Sequence, residues 1–236
     1  MKKIFKRLYT NSFDNFCELL KDKINSNKKT FIVTANPETF MMSEKDSEIR
    51  NMLLDKNVTL VPDGIGVVKA AKMLNINVYE RIAGVDIAKF LLEYANEKGL
   101  KVYLFGSKQE VIDRMQQIIE KEYCNIKLVG ATNGYVNDKD KEFENIRKLN
   151  PDIVMVALGI PVQEKLIYNH LNDFKKGIFI GVGGSFDVLS GTKKRAPKLF
   201  IKLNLEWLYR IICEPKRLKR FWNNNIKFII KVRKDK

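Results

Sequence analysis

Six short β-branched runs, each ending in small or turn-forming residues, alternate with longer stretches of helical periodicity, and this rhythm constrains the chain most. The runs are Phe31–Thr34, Val58–Val61, Lys101–Phe105, Ile126–Val129, Ile153–Leu158 and Ile178–Val182. Between them, segments such as 87–98 and 111–123 repeat apolar residues three and four apart, as helices with one buried stripe do. The alternation predicts an α/β fold, a Rossmann-like and mostly parallel sheet covered by helices on both faces. It stops near Lys193, so the expected organisation is an α/β core over 1–192 and a helical basic appendage over 193–236.

Charge divides at the same point. From Lys193 onward there are 15 Lys or Arg against three acidic residues, whereas residues 1–192 hold the remaining 28 against 25. Interleaved with this charge are Phe200, Trp207, Tyr209, Phe221, Trp222 and Phe228. After Pro197 the pattern predicts two helices separated by Glu214-Pro215, because proline disfavours helical geometry in the residue before it. On the second, Leu218, Phe221, Trp222, Ile226, Ile229 and Val232 share one face, and Lys216, Arg217, Arg220, Lys227, Lys231 and Lys234 the opposite one. Such an arm seeks a large anionic partner, a membrane surface or a nucleic acid. The amphipathic partition favours an anionic membrane surface, with no nucleic-acid partner expected.

No stretch approaches the roughly 18–20 apolar residues needed to span a bilayer, and the start MKKIFKRLYT lacks the apolar core of a signal peptide. The expected location is therefore cytoplasmic, peripheral on the inner face of the plasma membrane. Cys17, Cys124 and Cys213 lack metal-ligand spacing, and no metal site is expected.

In parallel sheets ligands sit beyond the carboxyl ends of the strands. Here those ends read Thr34-Ala-Asn36, Pro62-Asp63-Gly64, Gly106-Ser107, Gly130 to Tyr135, Leu158 to Glu164 and Gly181 to Asp187. So many polar ends suit a nucleotide or sugar phosphate. The GVGGSFD turn lacks G-x-G-x-x-G spacing, and no P-loop occurs. Asp63, placed by Val-Pro at a strand end, can project into the cleft as a proton acceptor or simply form an Asp-Gly turn. His170, the single histidine, falls in an expected surface helix without nucleophilic partners. Asp138-Lys-Asp140 has D-x-D spacing but opens an expected helix.

TANPE, PDGIG, ERIAGVD, VYLFGS, NGY, LGIPVQE, GVGGSFDVLSG, RAP and LEWLYRIICEPKRLKR occur in order between about residues 30 and 220. In order and spacing they resemble the WecG/TagA/CpsF family of bacterial glycosyltransferases, and within it the teichoic-acid enzymes. One departure is Val162, where many relatives have lysine. The resemblance implies transfer of N-acetylmannosamine from its UDP donor to undecaprenyl-diphosphate-linked N-acetylglucosamine. The donor's α linkage inverts to β-1,4 in the linkage unit of wall teichoic acid, with no cofactor. It implies Asp63 as general base, since UDP leaves without protonation and one carboxylate suffices. Thr34, Asn36, Arg81 and Gln163 match pocket positions that orient the sugars. Asp187 and Tyr135 would read and stack on the uracil. Arg210, Arg217 and Arg220 would stabilise the diphosphate. The resemblance is also compatible with a homo-oligomer.

Overall fold

The computed structural model describes every residue except Arg217, Lys219, Arg220, Asp235 and Lys236. Each expected run is a strand: β1 Lys29–Ala35, β2 Val58–Pro62, β3 Lys101–Gly106, β4 Lys127–Thr132, β5 Ile153–Ala157 and β6 Gly177–Gly181. They form one parallel sheet in the order β2-β1-β6-β5-β3-β4. The four inner strands are nearly continuous hydrophobic runs because helices bury both of their faces.

Alternate strand residues feed two cores, as the twofold side-chain period requires. On one face, Phe31, Val33, Leu60, Phe105, Val156 and Phe179 pack with α1 Lys2–Phe5, α3 Pro37–Ser43, α4 Ser47–Leu54, α5 Ile65–Met73, α8 Lys139–Leu149 and α9 Val162–His170. On the other, Ile32, Val61, Leu104, Met155 and Ile180 meet α2 Phe13–Asn25, α6 Gly84–Lys98, α7 Gln109–Glu122 and α10 Ser185–Leu189.

The C-terminal segment departs from expectation in two ways. The first of its two expected helices is broken into α11 Lys198–Lys202 and α12 Glu206–Cys213, because Asn204 takes a left-handed φ of 57°. The second, in which Leu218 and Phe221 are helical, carries a π-helical turn, Trp222–Ile226, directly before α13 Lys227–Lys234. Its expected membrane face is divided. Val232 is fully buried, together with Phe228, in the first core, and Ile229 packs partly against it. The Phe228 ring lies 6.0 Å from Phe5 and 5.5 Å from Phe40, and Lys231 pairs with Glu44. Leu218 and Trp222 remain exposed. Thus α13 extends the first core across the expected boundary at Lys193, because its Phe228 packs onto the stacked Phe5 and Phe40 rings of α1 and α3. Among the described residues no helix is long and apolar enough to cross a membrane.

Candidate active site at the carboxyl ends of the strands

Asp63 follows β2 directly. Its backbone N–H donates to the Ala35 carbonyl at 2.9 Å, and Gly64, at φ 105°, turns the chain into α5. Its side chain is 29% exposed. The Ile82 N–H donates to the Pro62 carbonyl at 2.9 Å, which pins the segment before α6 against the end of β2. That tie places the Arg81 guanidinium 4.0 Å from the Asp63 carboxylate. Burial pushes the Asp63 carboxyl above the usual carboxylate range. Arg81 and Arg210 pull it down without prevailing, and Glu206 and Asp86 add to the rise.

Arg81 also donates to Glu206 at 3.2 Å, and Arg210, one turn along α12, donates to the other oxygen of that carboxylate at 2.5 Å. Glu206 is buried. Although burial pushes its carboxyl up, the two arginines outweigh burial and hold it below its ordinary range. Beside this cluster, Arg195 grips Asp86 of α6 with both terminal nitrogens, at 2.7 and 2.9 Å. A concavity of about 340 Å³, lined by Phe13, Glu80 to Ala83, Asp86, Lys89, Phe90 and Glu93, borders the cluster through Arg81 and Asp86 but includes neither Asp63 nor the strand-end loops.

Thr34 lies one strand over, in register with Val61. A Cβ on Gly84 would come 3.2 Å from the Thr34 methyl, so the glycine lets the start of α6 close on β1. Asn36 caps α3, its side-chain oxygen accepting from the Glu38 and Thr39 N–H groups at 2.9 and 3.1 Å. Its amide nitrogen is what remains for a ligand.

Gln163 is buried, and its oxygen accepts from Gly159 at 3.0 Å and Gly183 at 3.2 Å, stitching the loops after β5 and β6. Its amide nitrogen donates to Glu164 at 2.8 Å. A Cβ on Gly181 would stand 2.5 Å from that nitrogen, so only glycine admits the stitch. Glu164 itself is buried, burial pushes its carboxyl up to about 7, and its second oxygen has no hydrogen-bond partner among the described residues.

Asp187 lies in the first turn of α10 and faces Lys193 at 3.7 Å. Tyr135 follows β4, at the sheet edge opposite β2, and is 73% exposed, its N–H donating to Asn133. Asp63, Arg81 and Arg210 are therefore brought into one cluster, Thr34 and Asn36 adjoin it along β1, and Tyr135 stands at the far edge. Arg217 and Arg220 lie outside the described residues. His170 sits between Asp140 and Asp173, at 2.8 and 3.2 Å, while Asp138 caps α8. Among the described residues no three His, Cys, Asp or Glu side chains gather as a metal site.

Sequence reasoning did not single out Glu206, Asp86, Arg195 or Glu164. The available signal was a charge in an otherwise apolar setting, Glu206 and Arg210 at i, i+4 within LEWLYRII; Glu164, between Gln163 and Lys165, gave no such signal.

A shielded carboxylate flanked by guanidinium groups at the strand ends of a parallel α/β sheet is the equipment of a transferase acting on an anionic substrate. The chain belongs to the WecG/TagA/CpsF family of glycosyl transferases, whose family model matches residues 3–236. It is 45% identical over 209 residues to the N-acetylglucosaminyldiphosphoundecaprenol N-acetyl-beta-D-mannosaminyltransferase of Bacillus subtilis (strain 168), which covers 89% of this chain and 80% of the relative. The enzymes of the same name from Bacillus spizizenii and Staphylococcus aureus (strain NCTC 8325) are 38% and 36% identical, over 84% and 89% of this chain and 76% and 82% of theirs.

Proposed function

We propose that this protein is an N-acetylmannosaminyltransferase that moves the sugar from its UDP carrier to undecaprenyl-diphosphate-linked N-acetylglucosamine, inverting α to β-1,4. The relatives' shared name supports the acceptor and the transferred sugar. The observation that carries the mechanism is the Asp63 carboxylate at the end of β2 with Arg81 at 4.0 Å and the Arg210 charge alongside.

Asp63 accepts the proton of the acceptor hydroxyl as its oxygen attacks the anomeric carbon, and the bond to UDP breaks with its electron pair leaving on the diphosphate. UDP needs no proton, so no second carboxylic acid is required. Arg210 answers the developing charge, in the role also expected of Arg217 and Arg220. Thr34, the Asn36 amide nitrogen and Arg81 orient the sugars, and Gln163 contributes by holding the glycine loops in place. Asp187 and Tyr135 are assigned to the uracil.

The membrane surface enters through the appendage. Leu199, Leu203, Ile212, Leu218 and Trp222 are exposed among Lys198, Lys202 and Lys216, an apolar and cationic surface suited to lying on anionic lipid at the cytoplasmic face.

The test is transfer of radiolabelled N-acetylmannosamine from UDP to a short-chain lipid-diphosphate N-acetylglucosamine, with and without chelator. Wild-type protein forms the disaccharide lipid. Asp63→Asn loses transfer while keeping UDP affinity nearly intact, and full rate in that variant removes Asp63 from the mechanism.

A further inference from the structure

Glu206 opens α12, yet its side chain is only 5% exposed. A carboxylate is tolerated in such a place only with strong partners. It has two, Arg81 from the core at 3.2 Å and Arg210 from its own helix at 2.5 Å. Arg81 and Glu206 are 125 residues apart in the chain, so the contact ties the appendage to the body directly beside Asp63. An exposed i, i+4 pair on a helix contributes little, and its loss would go unnoticed. A buried carboxylate shared by two guanidinium groups is different, because without it two like charges face each other with nothing between them.

We infer that Glu206 is a positioning residue whose carboxylate seats the appendage over the end of β2 and fixes the two guanidinium groups at Asp63. This rests on the reading of Asp63 as the base. The charged groups facing Asp63 are Arg81 before α6, Asp86 on α6, Glu206 and Arg210 on α12, and Arg195 after α10. Arg81 and Arg210 favour the ionised base, and Glu206 opposes them. Cancelling the charge on Glu206 therefore has two separable effects: the guanidinium groups lose their spacing, and the base ionises more readily.

Transfer by Glu206→Gln, Glu206→Asp and Asp63→Asn is measured across pH at saturating acceptor. In Glu206→Gln, kcat falls about tenfold or more, and the acid limb of the pH profile moves to lower pH. Glu206→Asp keeps the charge and keeps the limb at its wild-type position. An unmoved limb in Glu206→Gln overturns the inference whatever its rate, since a merely structural role would not shift it. If Glu206→Gln does not fold, Glu206→Gln/Arg210→Gln removes the pair together, and because Arg210 acts on Asp63 more strongly than Glu206 does, the limb should then lie at or above its wild-type position. A limb moved to lower pH in that double variant also overturns the inference. Asp63→Asn separates the two readings. If it is inactive while the Glu206→Gln limb stays put, the inference on Glu206 alone fails; if it transfers with the wild-type profile, the base reading fails.

Discussion

Glu164 carries a buried carboxyl that no step of the transfer uses. Its burial raises the carboxyl from 4.5 to about 7, so the folded protein holds a proton that the unfolded chain releases earlier. Stability therefore falls as pH climbs from the unfolded value toward about 7 and is level above it, a loss on the order of 3 kcal/mol. Glu164→Gln keeps an oxygen to accept from Gln163 and has no charge to bury. Its melting temperature should match wild type near pH 4.5 and exceed it at about pH 8, as calorimetry at both pH values would show; equal melting at the higher pH would disprove the account. At this scale the sequence was read unevenly. The place of Asp63 at the carboxyl end of β2 was legible because it directly follows an apolar run, but the residues alone left open whether it faces the cleft or only forms the Asp-Gly turn. Glu206 was not legible, because its partner Arg81 is distant in the chain and only folding brings them together.

Among the elements, α13 is the one whose role changes most. Periodicity showed that it has an apolar face but not what the face meets, and a helix packed on its own body has the same repeat as one lying on lipid. Phe228 and Val232 close the first core against Phe5 and Phe40. Phe228→Ala should therefore cost about 3–5 kcal/mol by transfer and cavity effects together, read as a lower urea midpoint with an unchanged slope. A loss below about 1 kcal/mol, the range of surface substitutions, would mean that the helix is not part of the core. Removal of residues 193–236 is likewise expected to destabilise the body, because it uncovers Phe5 and Phe40. The break between α11 and α12 has a local cause in Asn204, whose left-handed backbone ends one helix and sets the entry angle of the next.

For the whole molecule, the sheet places the candidate base at one edge and the appendage above it through the Arg81–Glu206–Arg210 contacts. The same appendage exposes Leu199, Leu203 and Trp222, at 64%, 58% and 62%, among its lysines. On the proposed function, membrane contact and site completion would be two faces of one segment. Replacing these three residues together with serine should abolish sedimentation with anionic liposomes and transfer to lipid-anchored acceptor, while leaving UDP binding unchanged. Liposome binding by the wild type should also weaken as salt is raised, because screening removes the lysine contribution. Undiminished binding by the triple variant would locate the membrane contact elsewhere.

The sequence by itself determined the sheet, because six β-branched runs with turn residues at their ends can bury both faces only as a parallel layer under helices. It also determined which loops gather at the carboxyl ends, since in a parallel sheet every loop that follows a strand leaves from that same side. The tertiary structure alone decided which charges meet. Whether Arg81 faces solvent, substrate or Glu206, and whether Phe228 lies in lipid or against Phe40, depends on contacts between residues far apart in the chain, and hydrophobic period is blind to the identity of the surface on the other side.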